Sequence, residues 1–542
     1  MIEDEENDCC TIDKMIRMSY CLFAILCLGS LFVCSYQFTD SYIVPKWCFV
    51  VFMLLVILVY EAVRILFCGQ NNQKGRRRTV YGFIIVISCF SQAMFGIVQF
   101  SGFFQVSAVF KVTGSFDNPA GFAACLCAGF PFAGFLLSDK NKYIRYVGWM
   151  AGFVIAVAVI LSQSRAGIMS IAFICFILLN MKFFHKRWMK CLSLVCFALL
   201  LSGCYWMKKD SADGRLLIWR CSADMIKDAP WFGHGVGSFE ARYMDYQAGY
   251  FRQHGENHYS MLADNVKHPF NEYVGVLLNF GFVGLLMIFA VITLLMYCYK
   301  THPCLEKRIA LYSLISIGIF SFFSYPFTYP FTWIVILLCI VILAREYITE
   351  ILARPMIKNV ICIFILLCSL GGVYKLVERV MAEKEWGKVS GLALYGVSGK
   401  TLPAYVGLER NFENNPYFLY NYAAILLENK QYEKSLKVAL KCRKYWADYD
   451  LELMIGENYQ ELDKHELAEK YYDNASMMCP SRFLPLHKLF YLYKDVGNRE
   501  RMLDVAKSII DKPMKIKTST IRMMKREMKR EQTRLLTEEN FE

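Results

Sequence analysis

Hydrophobic positions along the chain follow two patterns. From about residue 19 to residue 376 they form long runs broken by short polar loops and by one long one, about 207–271. After residue 377 the runs stop, and apolar residues recur three or four apart between charged ones. Unbroken apolar stretches of about 18 residues or more read as membrane spans. The runs at 19–36, 43–67, 79–100, 118–137, 146–162, 166–181, 190–206, 272–298, 309–325, 328–344 and 357–376 predict about eleven of them. The expected fold is therefore all-α: a polytopic membrane protein of roughly eleven transmembrane helices followed by helices of another kind.

The second pattern has a period. The stretch NPYFLYNYAAILLENKQYEKSLKVALKCRKY (415–445) recurs about one helical hairpin later as LELMIGENYQELDKHELAEKYYDNASMMCP (451–480). Ala423 aligns with Gly456, and Ser435 with Ala468. A weaker copy covers 484–510, and a degenerate one 383–414. Small residues at fixed offsets let paired helices pack closely, and the period resembles that of tetratricopeptide repeats. The tail is expected to be an α-solenoid with a concave surface. It serves either to bind a protein partner or acceptor, or as a stabilising cap.

Charge orients this scheme. Basic residues of short loops stay on the cytoplasmic side. NNQKGRRR (71–78), DKNKYIR (139–145), KFFHKRWMK (182–190), YKTHPCLEKR (299–308) and AREYITEILARPMIK (344–358) all fall on one side if the N-terminus is cytoplasmic. That places residues 1–18 in the cytoplasm, 19–376 in the membrane domain, a long loop at about 207–271 outside, and the tail 377–542 outside as well. MIEDEEND at the start lacks the basic n-region of a cleaved signal, so the first span is expected to remain. Composition agrees: 56% of residues are hydrophobic and 20% charged, too apolar for an ordinary soluble domain. The 22 cysteines lie mostly inside apolar runs and show no paired spacing. The net charge of +13 comes from the cytoplasmic loops and from KPMKIKTSTIRMMKREMKR (512–530). The latter is either a solvated helix face or a contact for anionic lipid or glycan. Nothing in the pattern points to nucleic acid.

Polar residues at membrane depth are costly and mark function. Four stretches carry them on the outer face. ILSQSRAGIMS (160–170) sets Arg165 between apolar runs. DGRLLIWRCSADMIKDAPWFGHGVGSFEARY (213–243) opens with Gly214 and Arg215, carries Arg220, and ends in a glycine-rich turn. HPFNEYVGVLLNFGFVG (268–284) sets His268, Asn271 and Glu272 just before a span, and on a helix these would share a face. GSFDNPAGFA (114–123) offers Asn118 as a helix cap or a substrate contact. All four are read from the sequence. His254, His258 and His268 form a competing zinc candidate, the first two at a spacing that suits a helix.

SQSRAG, GRLLIW with PWFGHGVGSF, and HPFNEYVGVLLNFGFVG resemble, in that order, segments of the O-antigen ligase / O-antigen polymerase superfamily over roughly 80–345. The family signature is His-Asn, nine residues, Gly, two residues, Gly. Asn271, Gly281 and Gly284 keep that spacing, while Phe270 stands where the family has histidine. The resemblance implies a GT-C-like, metal-independent glycosyltransferase without cofactor in the bacterial inner membrane, its tail periplasmic. It takes a glycan from a polyprenyl (undecaprenyl) diphosphate carrier and passes it to a lipid, glycan or protein acceptor. It also implies that Arg165 and Arg215, with Arg220 third, hold the diphosphate. His268 acts as base in place of the missing histidine, or Glu272 does, with Asn271 orienting. Gly281 and Gly284 pack the span on its neighbours. The alternatives are a polymerase joining repeat units, a transporter of lipid-linked glycans that does no chemistry, and a scaffold for the tail.

Overall fold

The computed structural model describes residues 2–68, 76–104, 109–182, 186–207, 209–394 and 398–539. Residues 71–75 of the basic loop at 71–78 and 183–185 of that at 182–190 lie outside the described residues. Among the described residues all regular structure is helical. Seven helices are long and apolar enough to cross a membrane, or up to eight if the pair Pro330–Leu343 and Arg345–Leu352, bent by 72°, is one span. The chain is a multi-pass membrane protein, and among the described residues seven or eight of the eleven expected spans are met. Leu305–Ser321 has 17 residues and Pro330–Leu343 has 14. At about 1.5 Å per residue neither covers a hydrocarbon core of about 30 Å. The apolar part of Arg165–Lys182 is likewise short.

The chain divides into two compact units: residues 1–204, 270–272 and 287–387 form the first, and 205–269, 273–286 and 388–542 the second. The first is built around the short helix Pro119–Gly129, buried from Gly121 to Gly129. Its sequence, PAGFAACLCAG, is almost all small residues, so neighbours approach its backbone. Ser313 Oγ donates to the Ala128 carbonyl at 2.6 Å and Ser316 Oγ to the Cys127 carbonyl at 2.7 Å. A Cβ on Gly129 would lie 2.2 Å from Cys89 Sγ. Serine hydroxyls aimed at carbonyls hold helices together where no water competes.

In the second unit the long loop folds into helices Lys209–Asp228 and Ser238–His254. Gly214, expected to open a segment, lies inside the first of these. The tail forms helical hairpins: Pro416–Glu428 with Tyr432–Arg443, Tyr449–Glu461 with His465–Met478, and Leu484–Val496 with Arg499–Asp511. Their turns repeat in atomic detail. Lys430, Asp463 and Gly497 are left-handed, at φ 57°, 55° and 74°. The next N–H, of Gln431, Lys464 or Asn498, reaches back to the carbonyl of Leu426, Tyr459 or Tyr493, each at 2.9 Å. That is the six-to-one bond that closes a helix end. The small residues act where the alignment put them: Ser435 Oγ donates to the Ala423 carbonyl at 2.8 Å, and a Cβ on Gly456 would meet Tyr472 at 2.5 Å. The degenerate copy at 383–414 is built otherwise, since its first part is the end of one continuous helix, Pro355–Leu394.

Candidate functional site

In the first unit the loop 324–329, between Leu305–Ser321 and Pro330–Leu343, gathers the polar motifs. Asn118 caps its helix by accepting from the N–H groups of Ala120 and Gly121 at 2.9 and 3.1 Å. The same Oδ1 accepts from the Tyr329 hydroxyl at 3.1 Å. Gly121 leaves room for that ring, which a Cβ would approach to 2.5 Å. Asn118 Nδ2 donates to Asp117 Oδ2 at 2.9 Å, and burial raises the Asp117 carboxyl above its ordinary range. Two residues before Tyr329, the Phe327 N–H donates to Glu272 Oε1 at 3.1 Å. Two indoles pin the loop: Trp47 Nε1 donates to the Thr328 carbonyl at 2.9 Å and Trp333 Nε1 to that of Phe327 at 2.8 Å. Asn118 and Glu272 are thus brought to one loop, through residues that the sequence motifs do not single out. The two Tyr-Pro pairs of SYPFTYP were the available signal, because prolines fix such a loop.

Arg165 is the first residue of Arg165–Lys182. The Gly167 N–H donates to Ser164 Oγ at 3.3 Å, which caps the helix. Arg165 therefore starts its helix at the positive end of the helix dipole, where anions are favoured. Gln163, just before, has φ 54°, and Phe270 has φ 53°. Such backbone is costly outside glycine, and it accumulates at functional sites. The Phe270 ring meets Tyr325 edge-on at 5.5 Å.

His268 and Asn271 do not share a helical face, because the helix begins only at Glu272. Pro269 disfavours helical backbone at His268, and Phe270 is left-handed. Asn118, Arg165, Asn271 and Glu272 belong to the first unit; Arg215, Arg220, His268, Gly281 and Gly284 to the second.

In the second unit the glycine-rich turn after Lys209–Asp228 zips onto a break in Glu272–Thr301. Gly281 has φ 62° and ψ −158° inside that helix. The N–H groups of His234 and Gly235 donate to the carbonyls of Leu278 and Asn279 at 2.8 and 3.1 Å. In return those of Phe282 and Val283 donate to Pro230 and Trp231 at 2.8 and 3.1 Å. A Cβ on Gly281 would lie 2.3 Å from the Trp231 backbone, and one on Gly233 2.5 Å from that of Asn279. Gly281 is thus where the span breaks and receives another segment. Gly284 makes room for Phe280, which a Cβ there would approach to 2.5 Å.

Arg215 and Arg220 lie on Lys209–Asp228. The Arg220 guanidinium covers the Tyr250 ring at 5.1 Å, and that ring stacks on His254 at 4.4 Å. Trp219 Nε1 donates to the Pro269 carbonyl at 2.9 Å, tying the helix to the turn that carries His268. Burial first, and the Lys267 charge second, push the His268 imidazole down to about 4. The zinc reading is not assembled. Ser238–His254 ends at His254, while His258 opens a separate turn and faces Asp213 at 3.5 Å. Among the described residues no three His, Cys, Asp or Glu side chains converge.

Residues 150–289 match the family model described as O-Antigen ligase. The match contains SQSRAG, GRLLIW, PWFGHGVGSF and HPFNEYVGVLLNFGFVG, so the resemblance carried by those motifs is shown. No curated protein matches the chain.

Proposed function

We propose, from the O-antigen ligase segment at 150–289, that this multi-pass membrane protein transfers a glycan from a polyprenyl diphosphate carrier to an acceptor hydroxyl at the outer face of the inner membrane. The observation that carries the reading is Arg165 at a capped helix N-terminus within that segment. A guanidinium and a helix dipole at one point suit a diphosphate.

In the step, the acceptor oxygen attacks the sugar's anomeric carbon. The bond from that carbon to the phosphate oxygen breaks, and the diphosphate leaves on its lipid. Negative charge grows on the leaving group, and Arg165 and Arg215 stabilise it. His268 takes the acceptor's proton. Held neutral down to about pH 4, it is in the accepting form across the working range. Glu272, fixed by the Phe327 N–H, and Asn271 orient the acceptor. The roles of Arg220 and Asn118 are supporting ones, since both are engaged by tyrosines. The helical hairpins of the tail form a tetratricopeptide-like solenoid, and their surface serves the acceptor.

Membranes carrying the intact chain, Arg165→Ala or Arg215→Ala, with lipid-linked and protein-linked glycans separated, test this. Transfer that disappears with either arginine supports the diphosphate assignment. Full transfer in both variants ends it. A lengthened ladder on the carrier would identify a polymerase, and glycan moved to a new fraction a ligase.

A further inference from the structure

The turn before His268 is held almost entirely by the tail. Asp264 pairs with Arg482 at 2.8 Å and with Lys515 at 3.6 Å. Asn265 Nδ2 donates to Asp448 Oδ2 at 2.6 Å, and Asp448 in turn caps Tyr449–Glu461. Lys267 Nζ lies over two tail rings, 4.4 Å from the centre of Tyr417 and 5.4 Å from that of Trp446. Those rings are themselves 5.2 Å apart. From Ser238–His254, Gln247 Nε2 bridges the Asp264 and Met478 carbonyls at 3.2 and 2.6 Å. The Ala447 N–H donates to the Glu240 carbonyl at 2.8 Å.

Most of these contacts converge on three residues of one turn, Asp264, Asn265 and Lys267. An ordinary contact between modules would spread over both surfaces. Here Asp264, Asn265 and Lys267 each face tail side chains, and the next residue is His268. Lys267 is exposed, so its place is set by the aromatic pair and not by burial. A cation over two rings is held without losing its charge. That charge also acts on His268, on Glu240 and on Asp448.

We propose that the tail is a working part of the transferase: its Tyr417–Trp446 pair grips Lys267, and through Lys267 it positions His268 against the acceptor. Lys267 is a positioning residue, and anything that displaces the first tail hairpin is felt at the base. This rests on the assignment of His268 as the base.

The test uses the full chain in detergent with lipid-linked glycan extracted from the producing cells. Lys267→Met, Lys267→Arg and His268→Ala are compared with the unaltered chain. Because Lys267 is exposed, neither substitution of it threatens folding, and a melting curve checks this. Lys267→Met is expected to lower kcat about tenfold or more with the apparent KM for donor unchanged. It also moves the acidic limb of the pH profile upward, because one cause of the low His268 value is gone. Lys267→Arg keeps the cation over the rings and restores kcat. If Lys267→Met keeps both kcat and the acidic limb while His268→Ala is inactive, the grip is refuted and the base stands. If His268→Ala transfers at the full rate, the base assignment fails and the grip has nothing to position.

Discussion

The two units hold their motifs by different means. In the first, side chains do it: Tyr329 on Asn118, the Phe327 N–H on Glu272, and two tryptophans on the loop between them. In the second, the glycine-rich turn is held backbone to backbone, and four reciprocal hydrogen bonds join 230–235 to 278–283. A side-chain contact can be trimmed an atom at a time. A backbone-to-backbone junction admits no Cβ, so it fails as a whole. The second unit should therefore break at single glycines, and the first should weaken by degrees.

The sharpest break is Gly281→Ala. The substitution forces a side chain into φ 62°, ψ −158° and into the Trp231 backbone. Such backbone costs about 1–3 kcal/mol before the clash is counted. The expected result is loss of folded protein, read as recovery and melting temperature in detergent. Next is Arg165→Ala, with a stable protein and transfer reduced about 100-fold or more. Lysine there should restore only part, because a point charge replaces a fork. Initial rates on extracted donor decide it.

A smaller effect sharpens the electrostatics. His268 accepts a proton only when neutral, and it is neutral above about 4. Transfer should persist down to about that pH, where an ordinary histidine would lose it near 6.5. Stability moves differently. The unfolded imidazole is protonated below about 6.5 and the folded one only below about 4, so stability declines as pH falls across that window. A rate profile and a melting series separate the two. Smallest is Tyr329→Phe, which removes one hydrogen bond and leaves Asn118 capping its helix. About 1 kcal/mol of stability and a few-fold in rate are expected, by melting and by initial rate.

Much was legible in the sequence where the causes are local. Apolar run length marked a membrane protein, and small residues at helical offsets marked the hairpins around Ala423 and Ser435. The helix beginning at Glu272 followed from the polar residues before it. The rest depends on partners far away in the chain. Gly281 looks like any glycine in an apolar helix until Trp231 is laid against it. The loop 324–329 earns no attention until Asn118 and Glu272 both bond to it. His268 and Asn271 share no helical face because Pro269 disfavours helical backbone before it and the helix starts only at Glu272. The runs 309–325 and 328–344 are apolar, yet the helices they form, of 17 and 14 residues, are short for single spans.

Phe270 has a further consequence, for the choice of side chain its backbone suits. It is left-handed, at φ 53°, where a bulky side chain is an outlier and histidine or asparagine sits more comfortably. The family that this segment resembles carries histidine at that position. A histidine at this position would suit the left-handed backbone better than the phenylalanine does. What the chain would give up is the ring contact with Tyr325.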